Sequence, residues 1–399
     1  MPDQRSTALK NTWVLTAAQS LGGASTPIVV SLGGLVGQQL ASNPSLVTLP
    51  VSMLNLGLAL GTIPAAMLMR RLGRRPAYVF GALLGMSAGL IATAGILAAS
   101  FLVFCLGTFT AGFYSAYVQS YRFAATDGLE GHDREKAIAR VMLGGLAAAI
   151  IGPQLVIWTR DALPGHAFAG SFLSQAALAL LAIPILLSLR RPRVDRAKVQ
   201  APYAGRSLAQ FLTAPRYMLA VATGVVSYGL MTFLMTAAPM AMVGHGHSVD
   251  AAALGIQWHI LAMFGPSFFT GRLMVRFGKE RVAAVGLMLI GLSATVALNG
   301  LDIAHFWGAL ILLGIGWNFG FIGATAMVAD CHTPEERGKA QGANDFMVFG
   351  VVACASFFSG SLLHSSGWGV INQLVFPAIA FVLVPLLWKA ARGRPAPAG

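Results

Sequence analysis

Charged side chains are scarce in this sequence of 399 residues. Asp, Glu, Lys and Arg together make up 10% of it, whereas hydrophobic residues make up 56% and the mean hydropathy is +0.70. A chain this poor in charge cannot cover the surface of a water-soluble domain, and its apolar runs are long enough to cross a bilayer. We therefore predict an all-α polytopic membrane protein.

Acidic residues are the scarcer of the two charged types, with 14 against 27 basic residues and a net charge of +13. In a soluble protein such an excess would suggest a nucleic-acid partner. Here the basic residues cluster in short loops between apolar runs, where they orient helices beside anionic lipid. We expect membrane lipid as a partner and no nucleic acid.

Cysteine is nearly absent, and its three copies, Cys105, Cys331 and Cys354, lie far apart without metal-ligand spacing. We expect neither a disulfide nor a metal site. No nucleotide-binding loop and no pairing of a nucleophile with a base stands out in the sequence, so we also expect no cofactor and no enzyme activity.

Apolar windows of about 20 residues, the length that crosses a bilayer, recur twelve times. They fall at residues 12–37, 46–69, 77–99, 101–126, 138–158, 167–189, 217–243, 251–275, 282–300, 305–329, 339–362 and 370–390. The first run lacks a small-residue cleavage site and is expected to stay as a spanning helix. The longest interval between two windows, at residues 190–216, is polar. We predict a six-helix bundle over residues 1–189, a cytoplasmic linker over 190–216 and a second six-helix bundle over 217–399.

The loop Arg70–Pro76 sits between two of these windows and carries four arginines. The positive-inside rule assigns such a loop to the cytoplasm. Both termini are then cytoplasmic and the opposite loops are short. We expect a multi-pass protein of the bacterial inner membrane.

Two motifs recur half a chain apart. Arg71, Gly73 and Arg74 match residues 205 positions later, and Asp127 with the basic residues after it matches Asp330 at an offset of 203. Repeats in the same order and orientation imply two bundles related by an axis along the membrane normal, with a cavity between them.

The segment Ala66–Arg75 resembles the signature G-x-L-x-D-R-x-G-R-R of the major facilitator superfamily of secondary transporters, and the resemblance covers the whole chain. It implies twelve helices in two bundles around a central cavity. It also implies a cytoplasmic gate, in which Arg71 or Arg74 would pair with Asp127 and Arg276 with Asp330. These charges are alternatively ordinary solvated ones.

Arg70 stands where the superfamily's signature has an aspartate. An arginine at that position needs a carboxylate, and we expect Arg70 or Arg71, or Arg122 from the cavity side, to pair with Asp345 across the halves when the cytoplasmic side closes. Arg122 is alternatively an anchor for an anionic or carbonyl-bearing substrate, or a bridge to Asp127.

Asp345 and His259 are the candidate proton carriers. Asp345 is the carboxylate plainly inside a predicted span, and His259 lies in an apolar surround where an imidazole could titrate near neutral pH. Asp345 is alternatively locked in a permanent ion pair, and a lone histidine of this kind is more often a packed hydrogen-bonding residue.

Aromatic, amide and hydroxyl groups near mid-span suit a planar or amphiphilic solute. With Arg122, the predicted substrate-binding residues are Gln19, Tyr114, Tyr117, Gln119, Tyr228, Trp317 and Asn318. For any one of them, helix packing is an equally good explanation.

We predict a secondary active transporter of a small organic solute, monomeric, working by alternating access and coupled to protons. The segment Tyr121–Asp127 also resembles a bacterial branch of the superfamily with proposed riboflavin importers. The alternatives are an uncoupled facilitator and a transport-inactive membrane sensor or scaffold with the same fold.

Overall fold

The computed structural model describes residues 2–127, 129, 131–190, 206–333 and 336–392. The described part contains fifteen α-helices, one short 3₁₀ helix at Pro44–Leu46, and no strand. Before the linker the helices are α1 (Pro2–Gly22), α2 (Ser25–Leu40), α3 (Leu49–Leu72), α4 (Arg74–Leu97), α5 (Phe101–Ala124), α6 (Gly131–Thr159) and α7 (Ala169–Leu187).

The remaining helices follow the linker, of which residues 191–205 lie outside the described part. They are α8 (Leu208–Leu212), α9 (Pro215–Gly244), α10 (Val249–Phe264), α11 (Ser267–Phe277), α12 (Lys279–Leu298), α13 (Ile303–Ala329), α14 (Arg337–Gln373) and α15 (Val375–Arg392).

Ten helical segments of the described chain are long and apolar enough to cross a membrane. One of them, Lys339–Trp388, is 50 residues long, about twice what one crossing needs, and α10 is a further apolar helix of 16 residues. Every predicted window is occupied by helix, which confirms the all-α polytopic fold.

Two predicted spans are interrupted. The first divides between α1 and α2 at Gly23 and Ala24, and the eighth between α10 and α11 at Gly265 and Pro266. A third break lies between the predicted windows 339–362 and 370–390, inside α14, where Gly367 has a φ of 79°, which only glycine adopts readily, so the helix changes direction there. These breaks correct the expectation of continuous helices.

The chain forms two compact units. Unit 1 comprises the described residues of Met1–Lys198 with Thr236–Gln257 and Ser356–His364. Unit 2 comprises the described residues of Val199–Met235 with Trp258–Ala355 and Ser365–Gly399. The division at the linker that the sequence predicts therefore stays a prediction, because α9, α10 and α14 each contribute to both units.

Small residues set the packing inside each unit. In unit 1, Gly57 of α3 faces the backbone of Phe109 and Gly112 in α5, and a methyl group added to Gly57 would collide with the Phe109 carbonyl. Close backbone approach of this kind is how helices associate where lipid removes the hydrophobic driving force. In unit 2, α12 and α13 pack along each other through Gly286 and Gly320.

Candidate functional site

The two repeats carry an ion pair at equivalent positions, each between the first residue of a helix and an aspartate. In unit 1, Arg74 Nε lies 2.7 Å from Asp127 Oδ2 and its Nη2 donates to Oδ1 at 2.7 Å, so the pair is bidentate. In unit 2, Lys279 Nζ donates to Asp330 Oδ1 at 2.6 Å. Each base is the first residue of its helix, directly after a glycine with a φ of 88° or 90°. The predicted contact of Arg74 with Asp127 is present.

The expected partner of Asp330 was Arg276, and that expectation is wrong. Arg276 lies in the last turn of α11, with its guanidinium 5.2 Å from the centre of the Phe277 ring. The turn at Gly278 directs the chain so that Lys279, the equivalent of Arg74, reaches the end of α13. Arg70 and Arg71 are exposed in the last turn of α3.

Arg122 lies nearer a helix end than the sequence suggested. Helix α5 ends at Ala124, so Arg122 is in its last turn, exposed, with its guanidinium 4.8 Å from the centre of the Phe123 ring. Asp345 is exposed on α14 and accepts a hydrogen bond from Asn344 Nδ2 at 3.0 Å. Arg122 belongs to unit 1 and Asp345 to unit 2, and their pairing stays a prediction.

His259 is fully buried in α10, against α13. Its Nδ1 lies 2.7 Å from the Leu310 carbonyl oxygen. A carbonyl oxygen only accepts, so Nδ1 is the donor in this hydrogen bond. Nε2 is buried without a hydrogen-bond partner among the described residues. The geometry is that of a packed histidine bridging two helices.

Asn318 uses its amide inside unit 2, at the break between α10 and α11. Its Nδ2 donates to the Met263 carbonyl at 2.6 Å and to Ser267 Oγ at 2.7 Å. Its Oδ1 accepts from Thr270 Oγ1 at 2.6 Å. The side chain is fully buried. One of its partners, the Met263 carbonyl, lies in the last turn of α10, where backbone carbonyls have no partner within the helix.

The tyrosines of α5 are packed into unit 1. Tyr114 is 1% exposed, and a methyl group added to Gly85 would lie 2.5 Å from its Cδ1. Tyr117 is equally enclosed, against Gly81. Gln119 is exposed and Gln19 is half-buried in α1. The structure thus places the predicted polar residues of unit 1 at different depths rather than in one group.

The predicted residues Tyr228 and Trp317 come together in unit 2. The Tyr228 ring of α9 packs edge-on against Trp317 at 5.3 Å, Phe321 at 4.9 Å and Phe349 at 5.8 Å between ring centres. Phe264 of α10 lies 6.2 Å from Trp317. We call these five residues the aromatic cluster. Sequence reasoning missed its phenylalanines, although Phe321 follows Trp317 by one helical turn.

A buried carboxylate between the linker and α14 was also missed. Glu336 accepts from Arg206 Nη2 at 2.7 Å, from Arg206 Nε at 2.9 Å, and from the backbone N–H of Arg206 and of Thr333. Its side chain is 6% exposed. The hydrogen bonds from the Arg206 side chain and from these backbone groups hold the pKa of Glu336 well below its ordinary value and raise that of Arg206.

A pocket of about 380 Å³ adjoins this carboxylate in unit 2 and includes Arg216, Asp330 and His332 in its lining. Its Tyr217 precedes Tyr228 by eleven residues on α9, about 16 Å of helix. The pocket is therefore separate from the aromatic cluster.

Within unit 1, polar contacts join helices from both halves of the sequence. Arg160 Nη1 lies 2.8 Å from Asp250 Oδ1, as an ion pair rather than a directional hydrogen bond, and Gln154 Nε2 donates to Gln257 Oε1 at 3.1 Å. Thr48 Oγ1 donates to the Phe357 carbonyl at 3.0 Å. These contacts fasten segments of α10 and α14 to the N-terminal helices.

Comparison with known proteins gives three findings. The model of the Major Facilitator Superfamily matches residues 12–267 and 220–399. The riboflavin transporter RfnT of Brucella anthropi is 69% identical over 382 residues, which are 96% of this chain and 96% of the relative. Among solved structures, the nucleoside transporter NupG has a TM-score of 0.72 at 14% identity, over 96% of this chain and 98% of its own.

A second solved structure, the D-xylose-proton symporter, has a TM-score of 0.73 at 14% identity and covers 95% of this chain and 96% of its own. At such identities the two structures show a shared fold and nothing about substrate.

Proposed function

We propose that this chain, which belongs to the Major Facilitator Superfamily, transports riboflavin across the membrane by alternating access. Family membership confirms the prediction from the sequence: the chain is a multi-pass membrane transporter of a small-molecule substrate. The observation that supports riboflavin is the 69% identity with RfnT of Brucella anthropi, spread over 96% of both chains.

The chemistry of the chain suits such a solute. Riboflavin is neutral, with a flat three-ring isoalloxazine system and a polyhydroxyl ribityl chain. The candidate spans are nearly free of carboxylates, and unit 2 carries the aromatic cluster. A neutral planar solute needs aromatic faces and hydrogen-bonding groups rather than a buried counter-charge.

We further propose that protons drive transport, with Asp345 as the carrier. Within the candidate spans the sequence has two carboxylates, Asp345 and Glu280, and Glu280 is the second residue of its span. Asp345→Asn should therefore remove the pH dependence of uptake while counterflow continues. A pH profile unchanged by the substitution would reject the proton role, and a wild-type protein insensitive to a proton gradient would be an uncoupled facilitator.

The proposed location is a bacterial inner membrane, as a monomer with both termini in the cytoplasm. The basic turns at Arg70–Arg75 and at Lys279 support this orientation. A cysteine at Ser42 should react with an impermeant thiol reagent only from outside, and one at Ala201 only from the cytoplasm. Labelling of both from one face would contradict the orientation.

Growth of a bacterial riboflavin auxotroph that lacks its own transporter tests the substrate. Expression of this chain should restore growth at low external riboflavin, and excess unlabelled riboflavin should compete with uptake of the labelled vitamin whereas xylose and nucleosides should not. Failure to restore uptake, with the folded protein shown to be in the membrane, would count against riboflavin and favour the transport-inactive scaffold.

A further inference from the structure

The aromatic cluster gathers rings from α9, α10, α13 and α14 within unit 2. Tyr228 contacts the rings of Trp317, Phe321 and Phe349. Trp317 stacks on Phe321 with 5.3 Å between ring centres and 19° between planes. Edge-on and offset-stacked arrangements are the favoured geometries of aromatic pairs. The cluster is thus ordered by its own contacts.

Close approach of α9 to α13 brings Tyr228 into this position. Ser227 and Gly320 meet at the crossing, and a methyl group added to Gly320 would collide with Ser227 Oγ. The residue after Ser227 then projects beside Trp317 and Phe321. A side chain at position 320 would therefore push Ser227, and Tyr228 with it, away from the α13 rings.

The rings of the cluster are buried to different degrees. Trp317 is 7% exposed and lies at the back, whereas Tyr228, Phe264, Phe321 and Phe349 are only partly buried. The indole Nε1 of Trp317 is buried and has no hydrogen-bond partner among the described residues. An unpaired buried donor is costly, and one beside a partly open aromatic surface is suited to an acceptor from a ligand.

We propose that the aromatic cluster binds the isoalloxazine ring of riboflavin, which stacks against the partly exposed rings of Tyr228, Phe321 and Phe349 with Trp317 supporting them from behind. This inference rests on the proposed function and adds the residues that recognise the flat part of the substrate. A flavin ring offers a π-face for stacking and two carbonyl oxygens as acceptors, which match the aromatic faces and the unpaired indole N–H.

Riboflavin fluorescence provides the test on the purified full-length protein. Tyrosine and tryptophan in contact with an excited flavin quench its emission by electron transfer, whereas phenylalanine does not. Wild-type protein should therefore quench bound riboflavin, whereas the double variant Tyr228→Phe with Trp317→Phe, which also loses the indole N–H, should leave riboflavin bright when it is bound at saturating concentration. Because this variant keeps an aromatic ring at both positions, it is the one least expected to misfold.

Affinity measurements separate recognition of the isoalloxazine ring from recognition of the ribityl group of riboflavin. Lumichrome has the ring system of riboflavin without the ribityl group. Tyr228→Leu should weaken binding of riboflavin and of lumichrome by about tenfold each, because losing one stacking partner usually has an effect of this size. Ribitol, which has the chain alone, should compete equally well in both proteins. Phe109→Leu alters an aromatic pair of unit 1, Phe109 with Phe113 at 5.2 Å, and should leave all three affinities unchanged.

The outcomes distinguish a failure of this inference from a failure of the proposed function. If wild-type protein binds and transports riboflavin but the double variant quenches it as before and Tyr228→Leu binds lumichrome within about twofold of wild type, the cluster is packing or lipid-facing and the inference is overturned. If folded wild-type protein does not bind riboflavin at all, the proposed function fails and the inference with it.

Discussion

Asn318→Ala tests whether the amide of Asn318 is structural, as its contacts indicate, or available to substrate, as the sequence predicted. The substitution removes three hydrogen bonds, to the Met263 carbonyl, Ser267 and Thr270, from a fully buried position. Such bonds are worth roughly 0.6–1.5 kcal/mol each in membrane or soluble proteins, so the free energy of unfolding should fall by about 2–4 kcal/mol.

The assay is reversible unfolding of the purified protein in mixed micelles by increasing mole fraction of a denaturing detergent. Asn299→Ala is the matched control, because Asn299 is exposed and its amide makes one hydrogen bond, to the Thr295 carbonyl at 2.7 Å. A surface substitution of this kind should change the free energy of unfolding by no more than about 0.5 kcal/mol.

Two results would refute the structural role. One is a loss of stability in Asn318→Ala no larger than that in Asn299→Ala. The other is an Asn318→Ala protein that has wild-type stability but a lowered affinity for riboflavin. That result would support the prediction that the Asn318 amide binds substrate.

Two further predictions concern charged contacts. Since Arg206 and backbone N–H groups lower the pKa of Glu336 below its ordinary value of 4.5, the ionised carboxylate stabilises the fold above that pH, and this stability is lost as pH falls through the lowered pKa. Glu336→Gln should therefore melt at a lower temperature than wild type at pH 7, with the difference shrinking below about pH 4.5; a pH-independent difference would contradict this. In unit 1, a double-mutant cycle on Arg160→Gln and Asp250→Asn should give a coupling energy of up to about 1 kcal/mol, because the pair is partly exposed, and additive effects would show no interaction.

The spans and the repeat could be predicted because they depend on residue type and spacing alone. A bilayer of fixed thickness demands about 20 apolar residues, so hydropathy locates each crossing. The repeat likewise aligns Lys279 with Arg74, and in the structure each of these two residues pairs with an aspartate. Arg276 was wrongly predicted to pair with Asp330 because its charge was considered without the direction that the chain takes at Gly278.

Side-chain roles were harder to predict because they depend on how each helix is rotated about its axis. Hydropathy cannot distinguish a buried amide that lines a cavity from one that, like Asn318, fastens a helix break, although the Gly265–Pro266 pair does signal the break itself. The depth of Arg122 was misjudged since the end of α5 lies two residues earlier than the apolar window. The Arg206–Glu336 contact joins residues 130 positions apart, and no local pattern marks it.

Riboflavin counterflow in proteoliposomes tests the central claim most directly, because exchange of substrate requires alternating access but no coupling ion. Vesicles loaded with unlabelled riboflavin and diluted into a trace of labelled riboflavin should accumulate label transiently above the level reached in protein-free vesicles, and external lumichrome should inhibit that accumulation. Folded, correctly inserted protein that gives no accumulation above protein-free vesicles would contradict the assignment of this chain as a riboflavin transporter.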